Sequence, residues 1–457
     1  MSSTPVDTLP GTAPAGRRRS SVGLPRERIK SLACVALVGV CLVWVYITWL
    51  VPTYSYMGFT LAPEIPPSFA LACVLVVVCA VALPVELNTF SDYFLWMVFY
   101  FVFLPAMLMV PLQGLLPVGG VGLICALAAS YLCMIGLGRR RARVRHLRVD
   151  GALFKMVFFG VYLALAIYTF VVYRGNLNVV TFANVYEQRA LSADVAAVGS
   201  LVGYAIGFMA GGFNPFLMAV GLVERRRLWL LIGTLGQIFV YSTSGLKSVL
   251  LSIVLAPVFY LCVFKGTRIT SARLGALVVA SVLLPLCLLP VLNDTGEGLE
   301  FLVVSLIFMR TYGTAGTLTG VYADFFDNHP HTYFSHIGGV DGILPYPYGQ
   351  SLGEEVGYYL TGGVLDANAN FWATDGIGSA GNVGVVVVGL MIGGFLVLVN
   401  GILSEHNRRV AFVAFVPFIV AISNTSFFTS MLGGGGAVLL LLLYFWQSVP
   451  KAASRSR

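Results

Sequence analysis

Residues 31–51 read SLACVALVGVCLVWVYITWLV, an apolar run without a charged side chain. A helix rises about 1.5 Å per residue, so about 20 such residues cross the hydrocarbon core of a bilayer. The run is too long for a signal-peptide core and has no small-residue cleavage pattern. It therefore predicts a membrane-spanning helix that remains in the protein.

Similar runs recur along the chain, which is 58% hydrophobic and only 11% charged. These proportions exclude an ordinary globular domain and predict an all-α polytopic membrane protein of about twelve transmembrane helices. The predicted spans are 31–51, 68–85, 93–110, 121–138, 152–173, 197–223, 228–242, 246–264, 274–292, 382–403, 410–422 and 434–448. All eight cysteines fall in these runs, so we expect neither a disulfide framework nor a metal cluster.

The basic residues orient these spans. With the N-terminus in the cytoplasm and alternating spans, 24 of the 28 Lys and Arg residues fall on the cytoplasmic side. The chain then divides into a basic disordered tail, nine spans, a large extracytoplasmic loop between the ninth and tenth spans, three further spans and a cytoplasmic C-terminal tail. These parts cover residues 1–30, 31–292, 293–381, 382–448 and 449–457.

The loop at 293–381 holds ten of the twenty carboxylates and three of the five histidines, but only one basic residue, Arg310. Its segment 299–321 is apolar enough to suggest a further crossing. In that case 322–381 would lie inside, with no run able to cross back. We therefore predict a helix packed at the outer surface or partly re-entrant, with a thirteenth crossing as the alternative. Residues sharing one face at helical spacing suit a polar cavity: Arg310, Gly313, Thr314, Thr317 and Asp324.

Four basic residues fall on the outer side in this topology: Arg174, Arg189, Lys247 and Arg310. A charge in or beside an apolar helix is costly and usually has a partner or a task. A lipid-linked diphosphate at the outer face would explain all four, since Arg and Lys bind phosphate oxygens. The alternatives are a snorkelling anchor for Arg174, pairing of Arg189 with Glu187 or Asp194, and loop carboxylates as partners of the other two. The STSG sequence at 242–245 adds hydroxyl and amide groups typical of an anion site.

Within the loop, aromatic side chains stand beside carboxylates and amides, as in a sugar-binding cleft, although they could equally pack the loop itself. Four motifs add to this pattern: FMR at 308–310, NHPHTYFSH at 328–336, NANFWATDGIGSAGNVG at 368–384 and SGLKS at 244–248. In these features the chain resembles the bacterial oligosaccharide repeat-unit polymerases of the Wzy or O-antigen polymerase type. The resemblance covers about a quarter of the chain.

The resemblance implies a membrane glycosyltransferase of polysaccharide biosynthesis in the cell envelope. Such enzymes transfer a glycan from a polyprenyl diphosphate donor to an acceptor glycan on a second lipid, outside the bacterial cytoplasmic (inner) membrane. The expected partners are polyprenyl-diphosphate-linked oligosaccharides and the lipid bilayer, with room for a chain-length regulator or other envelope glycan machinery, and no nucleic acid. Because the donor is already activated, no cofactor is expected.

Transfer to a hydroxyl needs a base and a positive charge for the departing diphosphate. His336 is the first candidate base, because imidazole titrates near neutral pH, and His329 and His331 are alternatives. Asp375 is a rival base or a ligand of the acceptor hydroxyl. Arg310 and Lys247, then Arg189, are assigned to the diphosphate. The candidate sugar ligands are Asn368, Asn370 and Trp372, although turn chemistry explains asparagine equally well. No metal-ligand spacing is present, so we expect no metal.

Two other readings remain. A glycan ligase would use the same chemistry on another acceptor. A flippase for lipid-linked oligosaccharide would instead need internal repeats and charges along a path through the membrane, and neither is evident in the sequence. A purely structural protein would leave Lys247 and Arg310 without a purpose.

Overall fold

The structure is a computed structural model that describes residues 23–147, 149–175, 201–264, 269–293, 298–338, 340, 342–363, 365–367, 370–403, 408–421 and 424–446. Most of these residues are helical, and their one β-type pairing is an isolated bridge between Glu86 and Thr270. The helices in chain order are α1 Gly23–Val45, α2 Pro67–Ala82, α3 Phe90–Gln113, α4 Val121–Gly138, α5 Gly151–Tyr173, α6 Leu201–Val223, α7 Arg227–Ser244, α8 Lys247–Phe264, α9 Ser271–Asn293, α10 Glu300–Asn328, α11 Leu352–Thr361, α12 Ala373–Ile402, α13 Arg408–Ala414, α14 Val416–Ala421, α15 Phe427–Leu432 and α16 Gly436–Phe445.

Eight helices in the described ranges are long and apolar enough to cross a membrane: Arg26–Met57, Phe90–Gln113, Pro117–Gly138, Gly151–Tyr173, Leu201–Val223, Ser271–Val291, Glu300–Asn328 and Ala373–Ile402. Three shorter helices, in α2, α8 and α16, are also apolar. Each predicted span falls on a helix, although 410–422 is interrupted between α13 and α14. The chain is therefore an all-α, multi-pass membrane protein. The count of twelve crossings stays a prediction.

Helix α3 forms the centre of the bundle, because nearly all of its residues are buried. Its π-helical turn Phe99–Phe103 is followed by Pro105. Proline lacks an N–H group and its ring crowds the carbonyl four residues earlier, so the preceding turn widens. The same combination occurs at Tyr46–Leu50 before Pro52 and at Phe208–Phe213 before Pro215.

One end of the bundle, which we call the basic end, gathers arginines that bind backbone carbonyls. Arg28 and Arg139 donate to carbonyl oxygens of residues 81–83 at 2.5–2.9 Å. Arg408 donates to the Asn88 carbonyl at 2.7 Å. The bonds from Arg28 and Arg139 satisfy carbonyls at the end of α2, which lack intrahelical partners.

The opposite end, which we call the loop end, includes residues 54–60, 113–120, 328–338, 342–363, 365–367, 370–372 and 424–435. Helix α10 contacts this end through both of its halves. The Phe301 ring lies 5.9 Å from that of Tyr54, and Gly320 packs on the side chain of Gln113, whose Nε2 donates to the Gly58 carbonyl. Contacts of both halves with 54–58 fit the predicted surface or re-entrant helix, while its length also permits a crossing. Its depth stays a prediction.

Helix α12 is broken at Ala380 and Gly381, and Gly381 has a φ of +58° that L side chains rarely adopt. The short segment 373–379 lies against the first turn of 382–402. Gly376 and Gly384 meet at this contact, where a Cβ atom on either would overlap backbone atoms. The predicted span 382–403 begins at the break. The segment 373–379 therefore lies before this span and can form part of a polar site.

Candidate active site

The loop after α10 is held on the end of segment 373–379. The Thr332 and Tyr333 amides donate to the carbonyls of Gly378 and Ser379 at 2.8 and 3.1 Å. The final carbonyls of a helix lack intrahelical partners, so this docking satisfies them. Tyr333 and Phe334 have φ of +47° and +70°, which turns the chain back toward the segment. Such backbone is strained for L residues and is commonly found at functional sites.

This turn places His336 beside Asp375. His336 Nε2 lies 3.5 Å from Asp375 Oδ1, and the two side chains are 9% and 3% exposed. The other ring nitrogen, Nδ1, is 2.7 Å from Thr332 Oγ1. The structure therefore brings together the two candidate bases, which are about 40 residues apart in the sequence.

The pair has unused hydrogen-bonding capacity. His336 Nε2 and Asp375 Oδ2 are buried without a hydrogen-bond partner. The Ser426 hydroxyl lies beside the Asp375 carboxyl group, but in this conformation it donates to Thr429 Oγ1 at 3.1 Å. An unsatisfied buried polar group is costly, so this arrangement marks a place where a ligand group or water can bind.

A turn at 424–426 connects this pair to Arg310. Asn424 Nδ2 donates to the Arg310 carbonyl at 3.1 Å, and Ser426, two residues later, lies beside Asp375. Neither Asn424 nor Ser426 was predicted from the sequence as a site residue. The signal was a polar NTS triplet at 424–426 between apolar helices, where hydroxyl and amide groups need polar partners.

The exposed Arg310 side chain lines an amphipathic cleft with about 480 Å³ of open space. Thr314 and Thr317 line it as well, as their helical spacing with Arg310 predicted. The predicted face does not extend to Gly313, which packs on Leu50 and Phe59, nor to Asp324, which accepts a hydrogen bond from Tyr359. The apolar wall of the cleft consists of Met57, Phe59, Leu318, Leu360 and Leu365.

Asp366 is the carboxylate that lines the Arg310 cleft. Burial raises the pKa of its carboxyl group, and the nearby charge of Glu354 raises it further. No carboxylate of the described residues lies within ion-pair distance of the Arg310 guanidinium. The cleft thus presents a cation without an ion-pair partner beside an apolar wall.

The cleft and the buried pair are close neighbours. The Tyr322 hydroxyl donates to the carbonyl of Ala367, which lines the cleft, at 2.8 Å. It also interacts electrostatically with both Asp375 and Asp366. Helix α10 therefore presents Thr314 and Thr317 to the cleft, while Tyr322 is near both carboxylates.

The alternative bases, His329 and His331, are stacked on aromatic rings of α10. The His329 ring stacks on Phe325 with centroids 3.9 Å apart, and its Nδ1 lies 2.7 Å from the Phe325 carbonyl. His331 stacks on Phe326 and lies over Gly381 at the helix break. Through these contacts, the two rings pack the loop against α10 and α12.

Asn370 and Trp372 are completely buried. Asn370 Oδ1 accepts from the amides of Ala373 and Thr374, and its Nδ2 donates to Ala315 O and Thr319 Oγ1. Trp372 Nε1 donates to Ser130 Oγ at 3.1 Å. The expected sugar contacts are not supported by these positions, because the amide of Asn370 is fully bonded and neither side chain reaches the surface. Capping explains Asn370.

Lys247 is the first residue of α8, is half-buried, and does not line the Arg310 cleft. Helix α8 packs along α14, which leads toward the turn at 424–426. Arg174 is exposed at the end of α5. Arg189, with its alternative partners Glu187 and Asp194, and Asn368 lie outside the described residues. Among the three outer cations that the structure describes, it connects Arg310 to the buried pair.

The loop aromatics partly pack on one another. Phe325 contacts Tyr348 and Tyr359, with ring centroids 5.8 and 5.3 Å apart. Tyr333 and Tyr358, in contrast, are exposed near the site. The packing interpretation therefore applies to Phe325, Tyr348 and Tyr359, and sugar binding by the exposed tyrosines stays a prediction. Among the described residues, no group of three His, Cys, Asp or Glu side chains is arranged to hold a metal ion.

No family model, no curated protein sequence and no solved structure matches this chain.

Proposed function

We propose that the chain is a membrane glycosyltransferase that polymerises polyprenyl-diphosphate-linked oligosaccharide repeat units into a cell-surface polysaccharide. The observation that carries the proposal is the buried His336–Asp375 pair, with Nε2 and Oδ1 3.5 Å apart and unused bonding capacity on both side chains. Buried pairs of titratable groups beside a cleft are typical of acid–base sites. A purely structural pair would be expected to have its polar atoms satisfied.

In the proposed reaction, the acceptor sugar's hydroxyl oxygen attacks the anomeric carbon of the donor glycan. The pair receives the hydroxyl proton as the new glycosidic bond forms. The bond between the anomeric carbon and the diphosphate oxygen breaks, and polyprenyl diphosphate leaves with the electron pair. Positioned proton transfer of this kind contributes about 10²–10⁴-fold to a rate.

The cleft at Arg310 supports a role in binding the diphosphate. Its guanidinium has no ion-pair partner among the described residues, and the wall opposite is apolar. A lipid diphosphate is complementary to this cleft, because it combines an anionic head with an apolar chain. The 424–426 turn connects Arg310 to Asp375, so the leaving group and the base would act at one site. Lys247 remains a second candidate for the diphosphate.

The proposed orientation places the basic end in the cytoplasm and the loop end outside the cytoplasmic membrane. The charge distribution supports this orientation, because cytoplasmic loops carry the excess of Lys and Arg. Lipid-linked repeat units presented at the outer leaflet would then meet the cleft directly. A ligase would share this geometry and differ in its acceptor.

The test is complementation of a deletion strain with His336→Gln and Arg310→Ala, followed by analysis of lipid-linked glycans. We expect single repeat units on lipid at the outer face and no polymer. Arg174→Ala is the matched control for the arginine and should make polymer of wild-type length. Wild-type polymer from His336→Gln would overturn the proposal. Repeat units retained at the inner face would indicate a flippase, and full-length polymer that stays on its lipid carrier would indicate a ligase.

A further inference from the structure

The hydroxyl of Thr332 contacts two polar atoms at once. Its Oγ1 lies 2.7 Å from His336 Nδ1 and 3.0 Å from the Gly378 carbonyl oxygen. Thr332 is 1% exposed, so water cannot substitute for either contact. Both distances are within the range of hydrogen bonds.

Counting protons decides the directions of these bonds. A threonine hydroxyl carries one proton, and a carbonyl oxygen carries none. If Thr332 donated to Nδ1, its contact with the Gly378 oxygen would hold no proton and two oxygen atoms would face each other at 3.0 Å. Both contacts hold a proton only when Nδ1 of His336 is protonated and donates to Thr332, which then donates to Gly378.

A proton on Nδ1 determines what Nε2 can do. Neutral imidazole carries one N–H, so its Nε2 then offers a lone pair toward Asp375 Oδ1, 3.5 Å away. That lone pair and a carboxylate oxygen would repel each other unless a proton lies between them. The proton belongs either to an imidazolium or to a carboxylic acid, and in both cases the pair holds one transferable proton.

We propose that Thr332 is a positioning residue that keeps Nδ1 of His336 protonated, so that Nε2 is the nitrogen that faces the Asp375 carboxyl group and exchanges a proton during the reaction. The inference deepens the proposed function and rests on it for its catalytic consequence. Which nitrogen of a histidine acts is set by the bond that the other nitrogen makes.

The backbone makes this arrangement rigid. The Gly378 carbonyl that receives the Thr332 hydroxyl proton also accepts from the Thr332 amide at 2.8 Å. Gly378 and Asp375 belong to the same short segment, 373–379, and Ser379 Oγ donates to the Asp375 carbonyl at 2.7 Å. Thr332 therefore fixes the imidazole relative to the segment that carries its carboxyl partner.

The test is ¹⁵N NMR of the full-length protein in nanodiscs with labelled histidine, using His336→Gln to assign the His336 signals. At the alkaline end of its titration, wild-type His336 should show a protonated Nδ1 and an unprotonated Nε2. Thr332→Ser keeps the hydroxyl and should give the same tautomer, whereas Thr332→Val should lose it. A neutral wild-type ring protonated on Nε2 and not on Nδ1 would overturn the inference, whether or not the valine variant folds.

The catalytic consequence has a separate readout. Thr332→Val should lower kcat by about 10–100-fold with little change in KM, as for other residues that orient a catalytic histidine, while Thr332→Ser stays within about threefold of wild type. Equal kcat values for valine and wild type would overturn the positioning role. If the tautomer is as expected but no glycan is transferred by the wild type, the proposed function fails and the proton assignment stands. If the wild type transfers glycan but its His336 carries the opposite tautomer, the proposed function stands and the proton assignment fails.

Discussion

The two ends of the bundle use charged residues differently. At the basic end, Arg28, Arg139 and Arg408 bind carbonyls, and Arg226 pairs with Glu224 while its guanidinium lies 5.3 Å from the ring centroids of two tryptophans. At the loop end, Arg310 has no ion-pair partner among the described residues, and the His336–Asp375 pair has unmatched polar atoms. Apart from Nε of Arg408, which is also buried without a hydrogen-bond partner, these basic-end charges connect helices, whereas Arg310 and the His336–Asp375 pair retain capacity for a ligand.

This difference predicts opposite outcomes for substitutions at the two ends. Removing a charged side chain that is bonded to other protein groups should lower stability and leave activity unchanged. Removing a charged side chain that has unmatched polar atoms should abolish activity and leave stability unchanged or higher, since functional sites often cost stability.

Asp375→Asn should produce the greatest change in activity. We expect the transfer rate to fall by about 10²–10⁴-fold, because the pair can no longer accept the proton. The thermal unfolding midpoint in detergent should not fall, since Oδ2 makes no hydrogen bond in the folded protein. The control is Asp327→Asn, at an exposed carboxylate on the same loop side. An inactive variant that also unfolds would mean that the pair is structural.

Gly384→Ala should give the greatest loss of stability, about 1–3 kcal/mol, because its Cβ would overlap the Gly376 carbonyl. Denaturant titration in detergent measures it. Activity should fall too, since segment 373–379 would be displaced together with Asp375. Gly394→Ala on the same helix is the control, because a Cβ there meets nothing within 4 Å. Equal stability of the two variants would show that the helix break does not depend on glycine.

Arg226→Ala should cost about 1–2 kcal/mol through the loss of two cation–π contacts and a partly exposed ion pair. Polymer length and transfer rate should match the wild type. The neighbouring exposed Arg227→Ala is the matched control and should leave the unfolding midpoint unchanged. A strong loss of activity from Arg226→Ala would remove the contrast between the ends.

The pH dependence of Asp366 should be a smaller effect. Burial raises its pKa in the folded state, so the stability contributed by the protonated carboxyl group is present below the unfolded pKa and is lost as pH rises through the folded pKa. Asp366→Asn should therefore remove part of the fall in the unfolding midpoint as pH rises through the acidic range. Glu354→Gln should do the opposite, since hydrogen bonds from Ser351 lower the pKa of Glu354. Parallel curves for all three proteins would contradict the burial of Asp366.

Apolar runs predicted where the helices lie, because crossing a bilayer imposes a length and a composition that one sequence displays. Helical spacing likewise predicted Arg310, Thr314 and Thr317 on one side of a cleft. The sequence also contained both members of the buried pair as separate candidates. Their contact could not be predicted, since it depends on two left-handed residues at 333–334 and a break at 380–381 that bring distant segments together.

Two of the predicted sugar ligands, Asn370 and Trp372, have structural contacts, and their role in sugar binding stays a prediction. Asn370 stood in a polar motif, yet its side chain caps the segment that carries Asp375, and Trp372 fills the core behind it. Asparagine and tryptophan serve structure and binding with the same hydrogen-bonding groups, so composition alone does not separate these roles. Thr332, Asn424 and Ser426 were missed because their importance lies in atoms that only the folded chain brings near.

The most direct test of the account is transfer in a purified system. Wild-type protein in nanodiscs, given a synthetic polyprenyl-diphosphate oligosaccharide as donor and acceptor, should release one polyprenyl diphosphate for each glycosidic bond formed. His336→Gln should bind the same lipid and release none. Release without polymer, or equal turnover by the variant, would contradict the claim that this buried pair performs glycan transfer.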